Sequence, residues 1–99
     1  MIRLLNKDED EKTEIHRPPV LFQHGLAETA ENFLTSNGGH PIVLQALDDG
    51  WDVWLGNNRG NRYSLEHESL DPVQDKDKYW NFDWQEMGMY DVPAEIKGI

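Results

Sequence analysis

The chain has 99 residues, 37% of them hydrophobic, with a mean hydropathy of −0.76, which leaves room for one small domain, or part of a larger one, with a modest core. Nineteen acidic against nine basic residues give a formal charge of −10, which repels a phosphate backbone and argues against nucleic acid as a partner. The absence of cysteine excludes disulfide and thiolate chemistry. No apolar run reaches the roughly 18 residues of a transmembrane helix, and Met1-Ile2-Arg3-Leu4-Leu5-Asn6 is too short an apolar region for a secretory signal.

Ile2 to Leu5 reads as the end of a short strand, closed by a solvated charge run, Lys7-Asp8-Glu9-Asp10-Glu11-Lys12, in a loop through Glu14. Residues 1–14 are therefore expected to form a strand and acidic loop, with a partial domain over 15–99. Pro18-Pro19 fixes an extended entry into Val20-Leu21-Phe22, a buried-strand run. That run stops on Gln23-His24-Gly25, where a strand delivers a backbone turn. Leu26 to Leu34 has mixed helical and turn character, and Asn37-Gly38-Gly39-His40-Pro41 is a loop by its turn chemistry.

From Pro41, placed at the first helical position, Ile42, Val43, Ala46 and Leu47 form an apolar stripe that Asp48-Asp49-Gly50 ends. Trp51-Asp52-Val53-Trp54-Leu55-Gly56 reads as a second strand, apolar on both faces except at Asp52, with one tryptophan facing the core and the other a covering helix. Strand, helix, strand is a crossover unit, which makes the fold class α/β. Asn57 to Arg62 leave the carboxyl end of that strand, where Asn58-Arg59-Gly60 should build a turn with Arg59 paired to a carboxylate. An aromatic-dotted polar loop runs from Tyr63 to Phe82. Asp83 and Glu86 have capping-box spacing for a helix from Trp84 onward. Pro93 suggests a kink or a restart there, with Asp91 as a second N-cap. The chain reaches Ile99 inside this helix, before the third parallel strand of a doubly wound sheet, and so reads as the front of a fold.

Three blocks line up: Gln23-His24-Gly25-Leu26; Gly50 through Asn61, containing Asp52-Val53-Trp54-Leu55-Gly56-Asn57-Asn58-Arg59-Gly60-Asn61; and Tyr90-Asp91-Val92-Pro93-Ala94. Phe82 to Met87 fits just ahead of the third. Together they resemble the acid lipase family of α/β-hydrolases, the gastric and lysosomal lipases and steryl ester hydrolases. The first block alone is weak, whereas the second with the third at this distance is highly specific. The resemblance implies the N-terminal part of an α/β-hydrolase sheet and a reaction class, hydrolysis of neutral-lipid or steryl esters through a serine acyl-enzyme. It implies no cofactor and no metal, and a family usually secreted or lysosomal. Mapped onto this chain, the backbone N–H of Leu26 becomes an oxyanion-hole donor. Gly25 then allows close approach, His24 braces the loop, and Asn58, Arg59, Gly60 and Asp91 are structural motif residues.

The same resemblance places the nucleophile in a G-x-S-x-G elbow on the next strand. The serines here are Ser36, Ser64 and Ser69, all in loop contexts. His16, His24, His40 and His67 lack metal-ligand spacing, and Asp48 with Asp49 forms no acid–base pair. An oxyanion loop without a triad leaves two readings. The chain is part of a lipase completed by other chains and inactive alone, or it is a non-catalytic, lipase-derived subunit of a larger assembly. Either way other polypeptides are expected to cover the open sheet edge, centred on the Trp51–Leu55 strand and the C-terminal helix. Lipid ester is a ligand only in the first case.

Overall fold

The computed structural model describes residues 1–10, 12–35 and 41–99. The loop expected at Asn37 to His40, with Ser36 and Glu11, lies outside the described residues. Three short strands form one mixed sheet: β1 (Ile2–Arg3), β2 (Pro19–Phe22) and β3 (Asp52–Leu55), in the order β1-β3-β2. β2 runs parallel to β3 with Val20 opposite Val53 and Phe22 opposite Leu55, and β1 runs antiparallel with Ile2 opposite Leu55. Bonds from Asp52 N–H to Pro18 O (2.9 Å) and from Gly56 N–H to Phe22 O (3.0 Å) continue the ladder past both ends.

This order corrects one expectation. β3 is the central strand, paired on both sides, so it has no free edge; among the described residues the open edge in the direction of the parallel pair is that of β2. Pro18 and Pro19 lie at the entry to β2, as befits an edge strand.

Helix α1 (Ile42–Asp48) joins β2 to β3 and packs on the sheet. Pro41 sits at its N-cap (φ −56°, ψ 141°) rather than in the first turn, and Gly50 follows the cap residue Asp49 with φ 92°. The stripe is shifted from the one expected: Val43 is fully buried and Leu44, Ala46 and Leu47 pack beside it, while Ile42 is exposed. Val53 and Leu55 alternate onto the same core with Ala30, and Phe22 meets Phe33 at 5.6 Å between ring centres. Ala30–Phe33 is a 3₁₀ turn capped by Thr29. Burying a side chain such as Leu55 contributes about 1.5–3 kcal/mol, so a core this small is modest support. The radius of gyration, 15.2 Å, exceeds the roughly 13 Å of a compact domain of this length.

The opposite face of β3 is closed by charge. Asp52 is buried and takes a bidentate pair from Arg3 (Nε to Oδ1 2.9 Å, Nη2 to Oδ2 3.0 Å) and a bond from Trp54 Nε1 (3.0 Å). The Arg3 guanidinium stacks 4.7 Å from the Trp54 ring. Trp54 thus lies against Arg3, and Trp51 precedes the strand, half exposed. Burial would raise the Asp52 carboxyl, but its bonds from Arg3 and Trp54 together outweigh that and hold it below the usual aspartate value.

The loop expected from Tyr63 to Phe82 contains a short helix, α2 (Lys76–Tyr79), whose Tyr79 is buried and donates to Leu65 O at 2.7 Å. Asp83 and Glu86 form the capping box at the start of α3 (Trp84–Glu86). Helix then continues through a π-turn (Met87–Asp91) into α4 (Val92–Gly98), with Val92 N–H bonded to Met87 O five residues back. Asp91 is helical (φ −68°, ψ −53°) and caps nothing. The restart expected there is a widened turn instead, which accommodates Pro93 and its missing N–H.

Candidate functional site

The loops that leave the carboxyl ends of β2 and β3 meet around His24, which is 8% exposed. Asn58 N–H approaches its Nε2 at 3.0 Å and Asn61 Nδ2 at 3.1 Å. Both are donors, so Nε2 is an acceptor and the ring proton sits on Nδ1. Nδ1–H therefore donates to Gly25 O, 2.7 Å away. The imidazole is a strut between the two loops with both nitrogens in use, which leaves neither free to move a proton.

That bond has a further effect. Gly25 C=O and Leu26 N–H belong to one trans peptide, so they point in opposite directions. Gly25 O is held by His24 Nδ1 and by Glu28 N–H (3.2 Å), which fixes the direction of Leu26 N–H away from the ring. Gly25 N–H is used by Glu28 Oε2 at 2.9 Å. Leu26 N–H has no hydrogen-bond partner among the described residues. The turn closes through Ala27 at φ 59°, a left-handed conformation that costs a residue with a Cβ roughly 1–3 kcal/mol.

Leu26 lines a cleft of about 380 Å³. One wall is the 24–29 loop, another is Asn58 to Arg62, and Trp80, Phe82 and Met87 supply apolar surface. Gly60 (φ 79°) lies under the aromatic wall: a Cβ there would come within 2.7 Å of both Phe82 Cζ and Trp80 Cζ3.

Arg59 and Asp91 come together as the expected ion pair. Arg59 Nε and Nη2 reach Asp91 Oδ1 at 2.8 and 2.6 Å, and Arg59 N–H donates to Oδ2 at 2.9 Å. The Asp91 bond holds the guanidinium firmly charged. This ties the π-turn to the strand-end loop immediately after Asn58. The 57–61 turn is further braced by Asn57, whose Oδ1 accepts from Ala30 N–H (3.0 Å) and Asn61 Nδ2 (2.9 Å), and by Gln23 Nε2, which donates to Asn58 Oδ1 (2.9 Å).

Sequence reasoning singled out His24, Gly25, Leu26, Asn58, Arg59, Gly60 and Asp91, and they gather in this one region. It passed over Gln23, Glu28, Asn57 and Asn61, although three asparagines within five residues after a strand are a visible signal. Ser64 Oγ donates to Asn57 O at 3.1 Å, and the amides of Ser69 and Leu70 bond His67 Nδ1; these two serines are loop residues. Among the described residues no group of three His, Asp or Glu side chains is placed to hold a metal ion, and no helix is long and apolar enough to cross a membrane.

The chain is similar in sequence to known proteins. The chain is 48% identical over 82 residues to a protein named Lipase 1 of Drosophila melanogaster, covering 83% of this chain and 18% of that protein. It is 41% identical over 88 residues to Lipase member M of Mus musculus, covering 89% and 20%. With the lysosomal acid lipase/cholesteryl ester hydrolase of Homo sapiens it shares 40% over 83 residues, covering 84% and 20%. No family model matches the chain. The chain spans about a fifth of the length of the curated relatives it matches. The resemblance to acid lipases is borne out by these relatives, which are named as lipases and, in one case, as a lysosomal acid lipase.

Proposed function

From a chain similar to lipases over more than four fifths of its length, we propose that it is the N-terminal part of an α/β-hydrolase that cleaves the carboxylic esters of neutral lipids or sterols. In this reading it supplies one donor of the oxyanion hole, the Leu26 N–H. The observation that carries it is the unpartnered Leu26 amide at the rim of an apolar cleft, aimed by the His24 bond to the same peptide group. A serine nucleophile from outside this chain gives its hydroxyl proton to a base that also lies outside it and attacks the ester carbonyl carbon, and the carbonyl π electrons move onto oxygen. Leu26 N–H then donates to that oxyanion more strongly than to the ground-state carbonyl, which is what lowers the barrier. His24 holds the loop and transfers no proton. Arg59, Asp91, Asn58 and Gly60 hold the second wall.

The completing segments carry the nucleophile, the second donor and the remaining triad members, and the β2 edge is where further sheet would add. An alternative use of the same surfaces is a non-catalytic subunit. The exposed Leu26, Trp84, Tyr90 and Ile96 suit either partner.

The test is made in an enzyme completed by a segment bearing G-x-S-x-G. Leu26→Pro removes the donor and should lower kcat by about 10²–10³, whereas Leu26→Ala keeps the N–H and should be far milder. Equal damage from the two would show that the side chain matters and the amide does not.

A further inference from the structure

Glu95, on α4, is a titratable group that the proposed chemistry leaves unused. Its Oε2 is buried without a hydrogen-bond partner, and so is Gln23 Oε1, at the end of β2. The two oxygens converge. A Cβ built on Gly56 would lie 2.1 Å from Gln23 Oε1 and 2.4 Å from Glu95 Oε2, so only glycine leaves room for the pair. Gln23 has committed its amide nitrogen to Asn58 Oδ1 at 2.9 Å, which turns its oxygen toward the carboxyl. Two acceptors facing each other out of reach of water are stable only if one of them carries a proton.

We propose that Glu95 is a positioning residue for the oxyanion peptide: its carboxyl is protonated and donates to Gln23 Oε1, latching the C-terminal helix to the end of β2. The proposal rests on the oxyanion reading above and deepens it. Gln23, so held, steadies Asn58 through its amide; Asn58 N–H bonds His24 Nε2, and His24 Nδ1–H fixes the peptide whose other end is Leu26 N–H. The surroundings agree with a retained proton. Burial pushes the Glu95 carboxyl above the usual glutamate value, and Asp91 on the same helix pushes the same way. The Met1 amino group and the Asn57 N–H oppose them without prevailing, and His24, neutral in the tautomer above, brings no charge. The Arg59 guanidinium is committed to Asp91. As pH rises from the ordinary glutamate value through the raised one, the proton leaves, the two oxygens repel and the latch opens.

The experiment is a carbon-detected NMR titration of the full chain labelled in glutamate and glutamine, with Glu95→Gln assigning the Glu95 signal. Glu95 should titrate above the usual glutamate range, and the Gln23 side-chain amide and the Leu26 backbone amide should shift with the same midpoint. In Glu95→Gln, which offers an N–H to Gln23 at every pH, both amides should stay at their low-pH positions. Glu95 titrating at or below the usual value overturns the proposal; that is the behaviour expected if the Gln23 and Asn58 amides are reversed and Gln23 donates to an ionised Glu95. A Leu26 amide that ignores the Glu95 midpoint overturns the positioning role, and the wild-type signals decide this even if the variant fails to fold. No readout involves an ester, so failure of the hydrolase reading would leave the titration in place and is separately visible.

Discussion

Replacing Asp91 by alanine should be the more damaging half of the Arg59–Asp91 pair. Asp91 does two jobs: it neutralises a guanidinium and it accepts the Arg59 backbone N–H. The side chain of Arg59 is 36% exposed, so the ion pair itself is screened and worth only about 0.5–1 kcal/mol. The backbone N–H has no other acceptor, and stranding it costs about 1–3 kcal/mol. Asp91→Ala should therefore cost about 2–3 kcal/mol, while Arg59→Ala, which leaves the N–H bond intact, should cost about 1 kcal/mol. Asp91→Asn retains an oxygen for that N–H and should fall near the arginine variant. Four tryptophans make fluorescence-monitored urea unfolding a suitable assay. With m about 1–3 kcal/mol/M, the alanine variant should lose roughly 1–2 M in midpoint. An Asp91→Ala midpoint no lower than that of Arg59→Ala would refute the two-job account.

The chain by itself should show no saturable turnover of an activated short-chain ester, because Ser64 is committed to Asn57 O and the described loops pair no serine with a base; labelling of a serine by an active-site reagent would contradict this. Asp52 predicts an acid-sensitive step. Its carboxyl is held below the usual value in the fold, so the stability it contributes is present above the unfolded-state pKa of about 3.9 and is lost as pH falls through the lower, folded one. Asp52→Asn should remove that part of the acid transition, and an unchanged acid limb in the variant would refute the assignment.

Much of the scaffold was legible because it is local. Strand runs ended by Gly, a capping box and a glycine after a helix are short-range signals, and β2, α1, β3 and α3 follow them. The order of strands was not legible in the same way. Val53 and Leu55 announce a buried strand, but the placement of β1 beside it depends on Arg3 meeting Asp52 and Trp54, a contact across 49 residues. Asp91 misled for a related reason: an Asp two residues before Pro looks like a cap, yet its oxygens are claimed by Arg59, 32 residues away. At the site, motif resemblance drew attention to His24 and Leu26, while the left-handed Ala27 and the partnerless Glu95 oxygen left no trace in composition or periodicity. Such features exist only once the loops have met.

The π-turn makes the C-terminal helix a matter of phase. One residue of an α-helix turns the chain by about 100°, and the widened turn at Met87–Asp91 absorbs one extra residue before α4 begins. Asp91 and Glu95, one helical turn apart, reach Arg59 and the space over Gly56 because of that offset. Closing the π-turn to a regular helix with every residue kept would swing both carboxylates off the sheet in one step, whereas losing one residue between Met87 and Tyr90 would remove the bulge and leave α4 in phase. The exposed stretch Gly88-Met89-Tyr90 should accordingly tolerate changes of side chain and the loss of one residue but resist an insertion, an asymmetry that surface position alone does not suggest.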